Sequence, residues 1–372
     1  MIADMPLQRE QKVTIIYQKP SDNLGFMKSA MPKRPTLIEI ARLAGVGIAT
    51  VDRVLNGRAP VREATALRVA DAAAKLGHQS NVLTMLRARA ALPQRRFGFV
   101  LHKRTQPFYR AFAAALQKAV AACADIDARA EIAFSASQAP ADFAAEIRAL
   151  AQRCDVIASS AVDHPDLDRA VDDVGRQGIP TFCLLSDFAQ KSRAGYVGLD
   201  NAQAGRIAGW MAAQRLGGGG TAATIVGGTR WHGQVLRASA FAGYLQSHAP
   251  QTHVLDPVIN LETRRMTYDA VRGLIGRHPD LRALYVAGGG MEGAIAAVRH
   301  MDQPRQIALI VNELTPESAD ALRDGIVCLV IATPLDDLCR DLVDIMRRRV
   351  DGTSEPVPPH FLPARLYLPE SV

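Results

Sequence analysis

No stretch of this chain reaches 18 consecutive apolar residues, so no membrane-spanning helix is expected. Cysteine is scarce. Cys123, Cys154, Cys183, Cys328 and Cys339 are odd in number, and none of their spacings makes a metal clip. Buried, reduced thiols are expected, and no metal site. Catalytic punctuation is missing too. The nine histidines are scattered, with no G-x-S-x-G elbow and no H-E-x-x-H helix. His102 and His232 read as surface or cleft-lining side chains. A secretory pattern is lacking, because the N-terminal apolar run Val13–Tyr17 is too short for a signal h-region. These absences point to a cytoplasmic protein that is not an enzyme and needs no cofactor.

What is present is unevenly charged. The 372 residues are 48% hydrophobic and 22% charged, as in an ordinary globular protein, and suffice for two or three domains. Residues 1–96 hold 16 Lys/Arg and 7 Asp/Glu, whereas the other 276 hold 28 and 30. A basic N-terminal quarter on a nearly neutral body suggests a polyanion-binding module attached to something else.

Residues 1–35 show no sustained periodicity and read as a disordered tail. From Thr36 the pattern is helical. Thr36 with Glu39 three residues on is a capping box. Leu37, Ile40, Ala41 and Ala44 follow at helical spacing, and Gly45 is the residue to end that helix in a left-handed conformation. A second helix is predicted over Ile48–Asn56 and a third over Arg62–Leu76. Two helices joined by a short turn containing Gly make a helix-turn-helix. Its second helix enters a major groove, here presenting Ile48, Ala49, Asp52, Arg53 and Asn56.

Residues 36–78 resemble the DNA-binding headpiece of the LacI/GalR family of bacterial transcription regulators. They carry T-L-I-E-I-A-R-L-A-G-V, then T-V-D-R-V-L-N, then V-R-E-A-T. The resemblance implies sequence-specific binding of double-stranded operator DNA, most naturally as a repressor. It puts Ile48, Ala49 and Arg53 where the family reads bases, with Arg53 able to fork onto guanine. Thr36 and Arg58 join the same surface, and Thr50, Asn56 and Thr65 match positions that hold phosphates. Three departures stand out. Gly47 replaces a Ser or Thr cap, Asp52 stands where Ser is common, and Arg62 replaces a hydroxyl cap of the third helix. An acid at Asp52 repels phosphate unless it accepts from cytosine or pairs with a basic side chain. Residues 79–95 are expected to be a hinge helix and linker. There Leu86 or Arg87 would enter a minor groove, Leu86 as a wedge and Arg87 in a narrow A·T-rich tract.

Beyond Arg96, apolar strand-like runs alternate with helical stretches of 10–15 residues. This is the rhythm of doubly wound parallel sheets, and the length suits two lobes. The segment 96–368 resembles the family's effector domain, which is similar to periplasmic sugar-binding proteins. Lobe 1 is expected at about 96–193 and 327–352, and lobe 2 at about 194–326 and 353–368. The same resemblance places a small carbohydrate-like effector between the lobes. It implies contacts from Gln106, Phe108 and Tyr109 in Q-P-F-Y, from Ser186 and Asp187 after a strand, and from Arg237 in R-A-S-A-F. Gly289, Asn312 and Glu313 complete the set. Polar groups at strand C-terminal ends are where open α/β sheets bind ligands. Trp231 reads as packing. A competing pattern, Gly288-Gly-Gly290-Met-Glu-Gly293, fits G-x-G-x-x-G, so an NAD(P)-dependent oxidoreductase is an alternative, as is a sugar-binding protein with no regulatory role. Those glycines stand where the family carries a cleft Asp. The favoured reading is a small all-α helix-turn-helix domain plus a two-lobed α/β domain, working as a homodimer.

Overall fold

The computed structural model describes residues 35–56, 61–78, 84, 91–217, 219–303, 306–352 and 357–372. Arg58, Leu86 and Arg87 lie outside them. The chain divides into two compact units, one ending at Ala90 and one beginning at Ala91.

The first unit contains α1 (Leu37–Ala44), α2 (Ile48–Asn56) and α3 (Glu63–Lys75). The capping box forms. The Glu39 N–H donates to Thr36 Oγ1 at 3.3 Å, and the Thr36 N–H donates to Glu39 Oε2 at 2.7 Å. Gly45 ends α1 at φ 63°, and an added Cβ there would meet nothing within 4 Å. Glycine is therefore required by the backbone and not by packing. The core is built from Ile40, Ala41, Ala44, Val51, Val54, Val69, Ala70 and Ala73. Small side chains let three short helices cross closely enough to exclude water.

The second unit holds two sheets. Sheet A has the order β12-β5-β4-β3-β1-β2, with β1 (Gln94–Leu101), β2 (Asp127–Phe134), β3 (Val156–Ser159), β4 (Thr181–Leu184), β5 (Gly195–Leu199) and β12 (His360–Leu362). Sheet B has the order β13-β11-β10-β9-β6-β7, with β6 (Gly220–Val226), β7 (Thr252–Val254), β9 (Leu281–Val286), β10 (Ala308–Asn312), β11 (Val327–Ala332) and β13 (Arg365–Tyr367), and β8 (Val258–Ile259) pairs with β6. Every pairing is parallel except β11 with β13. Apolar clusters cover both faces of each sheet. This explains why the strands read as continuous apolar runs and not as alternations.

The chain crosses between lobes after β5, after β11, and between β12 and β13. The lobe boundaries expected from sequence are thereby corrected. Gly195–Leu199 pairs with β4 and belongs to lobe 1. Val327–Ala332 pairs with β10 and belongs to lobe 2. The following helix α12 (Leu335–Val350) returns to lobe 1, burying Leu338, Cys339, Leu342 and Met346 there. Residues 360–362 also join lobe 1, beside β5. Periodicity marks a strand but not the sheet it extends, because each crossing is made in a few loop residues.

In lobe 2, α7 (Asn201–Leu216) packs on α8 (His232–His248). A Cβ on Gly205 would lie 2.2 Å from the Arg237 carbonyl oxygen, and one on Gly209 2.7 Å from Tyr244 Cβ. These two glycines, one helical turn apart, let the backbones approach and so set where Arg237 points. Among the described residues no helix is long and apolar enough to cross a membrane.

Candidate functional site

Two surfaces carry functional chemistry, one on each unit. On the first, α2 turns Val51 and Val54 inward and leaves Ala49, Arg53 and Asn56 exposed, with Ile48 49% exposed. Asp52 and Thr50 are half-buried. The Asn56 side-chain amide donates to Asp52 Oδ1 at 2.6 Å, so the unexpected acid on this face is engaged by the residue one turn on. Gly47 brings no side chain to cap α2; its carbonyl accepts from Thr50 and Val51. Arg62 makes no side-chain cap at the start of α3, as its chemistry implies. Thr65 is half-buried near that helix start.

On the second unit a cleft lies between the lobes, with a cavity volume of about 90 Å³. Lobe 1 contributes Gln106, Phe108 and Tyr109 from the start of α4 (Pro107–Ala121), and Ser186 from beyond β4. Lobe 2 contributes Arg237 from α8, Gly289 from the loop after β9, and Asn312 and Glu313 from the end of β10. Eight of the nine residues expected at an effector site therefore meet in one cleft. Asp187 is the exception. Its carboxylate pairs with Arg193, with Nε–Oδ1 at 2.6 Å, and it does not line the cleft.

Arg237 is buried and aimed by neutral partners. Its Nε donates to Asn201 Oδ1 at 2.7 Å, and a terminal nitrogen donates to the Ala287 carbonyl at 3.0 Å. Asn201 in turn donates to the Tyr196 hydroxyl and the Leu185 carbonyl of lobe 1. Glu313 sits at φ 69°, a left-handed conformation held by Thr333, whose N–H and hydroxyl donate to its two oxygens at 2.9 and 2.7 Å. Burial raises the Glu313 carboxyl above its ordinary range, against the pull of those donors and of Arg237. A cation and a carboxylate fixed in one cleft beside aromatic faces suit a polar ring bearing several hydroxyls.

Sequence reasoning overlooked Glu262, which is buried at the cleft edge with φ 52°. Its Oε1 accepts from the Gln234 side chain at 2.7 Å and from the Gly289 N–H at 3.1 Å. Lys103 lies 3.2 Å from its Oε2. Burial would raise this carboxyl, but Lys103 and the donors outweigh it and hold it below the ordinary carboxylate range. No local spacing links Lys103 to Glu262, and the two-residue strand before Glu262 carries no periodicity, so no signal in the sequence pointed to either. The glycine run is also explained here. A Cβ on Gly288 would fall 2.2 Å from Gln234 Oε1, one on Gly290 2.3 Å from Thr267 Oγ1, and one on Gly293 2.1 Å from the Arg264 carbonyl. These glycines make room for neighbouring protein groups, which removes the reason for reading them as a dinucleotide cradle.

His102 corrects another expectation. It is 4% exposed, neither lining the cleft nor on the surface, and packs against Tyr109, Phe143 and Trp231 with ring centroids 5.7–6.0 Å apart. Burial pushes its imidazole down to about 4, against the attraction of Glu262 and with the repulsion of Lys103. A folded value below the unfolded one means that stability is present above the unfolded value and is lost as pH falls toward 4. Between pH 7 and 4 this loss should reach about 3 kcal/mol. Urea unfolding of His102→Leu at those two pH values should show the acid destabilisation reduced by about that amount. An unchanged pH dependence would disprove this account.

Residues 97–354 match the model of the periplasmic binding protein domain. Residues 36–81 match that of bacterial regulatory proteins of the lacI family. The chain belongs to the periplasmic binding protein domain family, in the LacI/GalR arrangement. No curated protein matches it. Solved solute-binding proteins share the fold of this LacI/GalR-type chain. One is an ABC-transporter solute-binding protein from Agrobacterium vitis bound with alpha-D-tagatopyranose, with TM-score 0.68, 18% identity, and coverage of 74% of this chain and 95% of that one. GanP, a glucose-galactose binding protein from Geobacillus stearothermophilus, gives 0.68 and 19%, with 75% and 99% covered. A solute-binding protein from Bacillus halodurans C-125 with bound myo-inositol gives 0.67 and 18%, with 75% and 96% covered. The families matched are binding and regulatory ones, not catalytic ones. The small helical unit is what this LacI/GalR-type chain adds to the solute-binding fold.

Proposed function

We propose that this chain is a cytoplasmic, sequence-specific DNA-binding transcription regulator, a repressor controlled by a small sugar-like effector in the interlobe cleft. The carrying observation is the joining, in one chain, of an exposed helix-turn-helix face around Arg53 to a cleft that gathers Arg237, Asn312 and Glu313 against Phe108 and Tyr109. Ile48, Ala49 and Arg53 read bases, while Thr50, Asn56 and Thr65 hold phosphates. Of the fold relatives named above, two hold tagatopyranose and myo-inositol and one is a glucose-galactose binding protein, and all these ligands are polyhydroxylated rings. That chemistry suits the fixed cation and carboxylate of this cleft. A homodimer on a near-palindromic operator supplies the contacts that a single small headpiece lacks. The effector switches the regulator by binding two arrangements of the lobes with different affinity.

The test has two arms. A thermal-shift screen over neutral sugars and polyols should raise the melting temperature with at least one of them. In a fixed-salt binding assay the full chain should prefer the duplex upstream of its own coding region to random duplex, and the active sugar should change that preference. Equal affinity for both duplexes, with and without every sugar tried, would defeat the proposal.

A further inference from the structure

The crossovers join the lobes at one edge of each sheet: β5 and β12 in sheet A, β11 and β13 in sheet B. The jaws must therefore open at the opposite edges, which hold β1 and β2 in lobe 1 and β6, β7 and β8 in lobe 2. Several polar contacts between the lobes lie on that open side, in addition to those of Asn201 near the crossovers. Lys103, just after β1, donates to the Glu262 carbonyl at 2.7 Å, in addition to pairing with its carboxylate. Both side chains are largely withdrawn from water, at 16% and 7% exposure. Gln138, after β2, donates to the Leu261 carbonyl at 3.0 Å and accepts from Trp231 Nε1 at 3.3 Å. The Asp163 N–H of lobe 1 donates to the Arg230 carbonyl at 2.8 Å. Trp231, on the β6–α8 loop of lobe 2, is 3% exposed because its ring packs on Phe143 and His102 of lobe 1.

The backbone on both jaws is bent to make these contacts. Lys103, Leu261 and Glu262 lie at φ 48°, 48° and 52°. Non-glycine residues rarely occupy that region, and such outliers persist only where surrounding structure holds them. Here Asn260 holds the lobe 2 side. Its Oδ1 accepts from the Glu262 N–H at 2.8 Å, and its Nδ2 donates to Thr267 Oγ1 and the Gly289 carbonyl, both at 2.8 Å. The left-handed pair 261–262 turns two successive carbonyls toward lobe 1, where Lys103 and Gln138 receive them.

We infer that Lys103, Gln138 and the 261–262 turn form a polar clasp at the mouth of the cleft, opposite the crossovers, which holds the two lobes shut without help from a ligand. Opening the cleft separates Lys103 from Glu262 and withdraws Trp231 from Phe143 and His102. The clasp sets how much of the protein is closed before any effector arrives, and hence how readily one enters.

The chain contains two tryptophans, so Trp210→Phe leaves Trp231 as the only indole reporter. In that background, without DNA or ligand, Trp231 emission should be blue-shifted and poorly quenched by acrylamide. Lys103→Met keeps the length of the side chain but leaves the Glu262 carboxylate without its counter-ion, so the open-to-closed ratio should rise about 10–150-fold and quenching should approach that of an exposed indole. Gln138→Ala should produce a smaller rise in the same direction. Unchanged far-ultraviolet circular dichroism separates opening from unfolding. A wild-type Trp231 quenched as readily as a surface indole would overturn the clasp whatever the variants do. So would quenching that stays low in both variants. Neither result touches DNA or effector binding, so failure of the clasp is distinguishable from failure of the proposed function.

Discussion

Arg53→Ala is expected to abolish the preference of the full chain for its operator while leaving salt-sensitive background binding in place. Arg53 is exposed on the outward face of α2, flanked by Ala49 and by the Asp52–Asn56 pair. A guanidinium forking onto guanine discriminates by about 1–3 kcal/mol, so the proposed dimer on two half-sites would lose about 2–6 kcal/mol. In the proposed complex, phosphate contacts from other residues are untouched and supply most of the affinity for any duplex. The measurement is a salt series on the specific and a scrambled duplex. The two binding curves should converge for the variant and remain apart for the wild type. An operator preference equal to the wild type would remove α2 as the reading helix. Thr65→Ala offers a contrast, because loss of a phosphate contact should weaken both duplexes alike.

Arg237→Met should weaken binding of the proposed effector in the cleft, with a cost in stability. Hydrogen bonds from a charged donor are worth about 1.5–3 kcal/mol, so affinity for the sugar that gives the largest thermal shift should fall about 10–150-fold. Methionine fills much of the arginine stem's volume in the α7–α8 contact. The Asn201 and Ala287 oxygens that lose a donor are buried. Each is left unpaired, so stability should fall by about 2–6 kcal/mol in all. Calorimetric titration measures the first effect and thermal unfolding the second. Undiminished sugar affinity would place the effector elsewhere. Loss of folding would show that Arg237 acts mainly as the tie between α8 and Asn201.

The helical unit was legible because its determinants are local. A hydroxyl and a glutamate three residues apart cap α1, a glycine without steric constraint ends it, and the apolar positions of α2 recur every three or four residues. Each of these acts within one turn of helix and can be read without knowing the rest of the chain. Most long strands of the larger unit were legible for a similar reason, since burial on both faces leaves a continuous apolar run. The short strands β7, β8, β12 and β13 were not, because two or three residues carry no periodicity.

The residues that line the cleft were expected from the resemblance to the family's effector domain, and Asp187 shows where that expectation stops. It follows β4 as Ser186 does, yet Arg193 six residues on draws its carboxylate away. His102 failed differently. Its neighbours Phe143 and Trp231 come from distant parts of the chain and seal it from water.

By itself, the order of residues determined that a small helical unit precedes a doubly wound body, because caps, turns and buried strands are encoded over a few neighbouring positions. Only the tertiary structure decided which strand extends which sheet, that glycines 288–293 yield space to Gln234, Thr267 and Arg264, and that Lys103 meets Glu262 across 159 positions. Those outcomes depend on contacts between segments far apart in the chain, whose energies arise only once the lobes have folded and closed on each other.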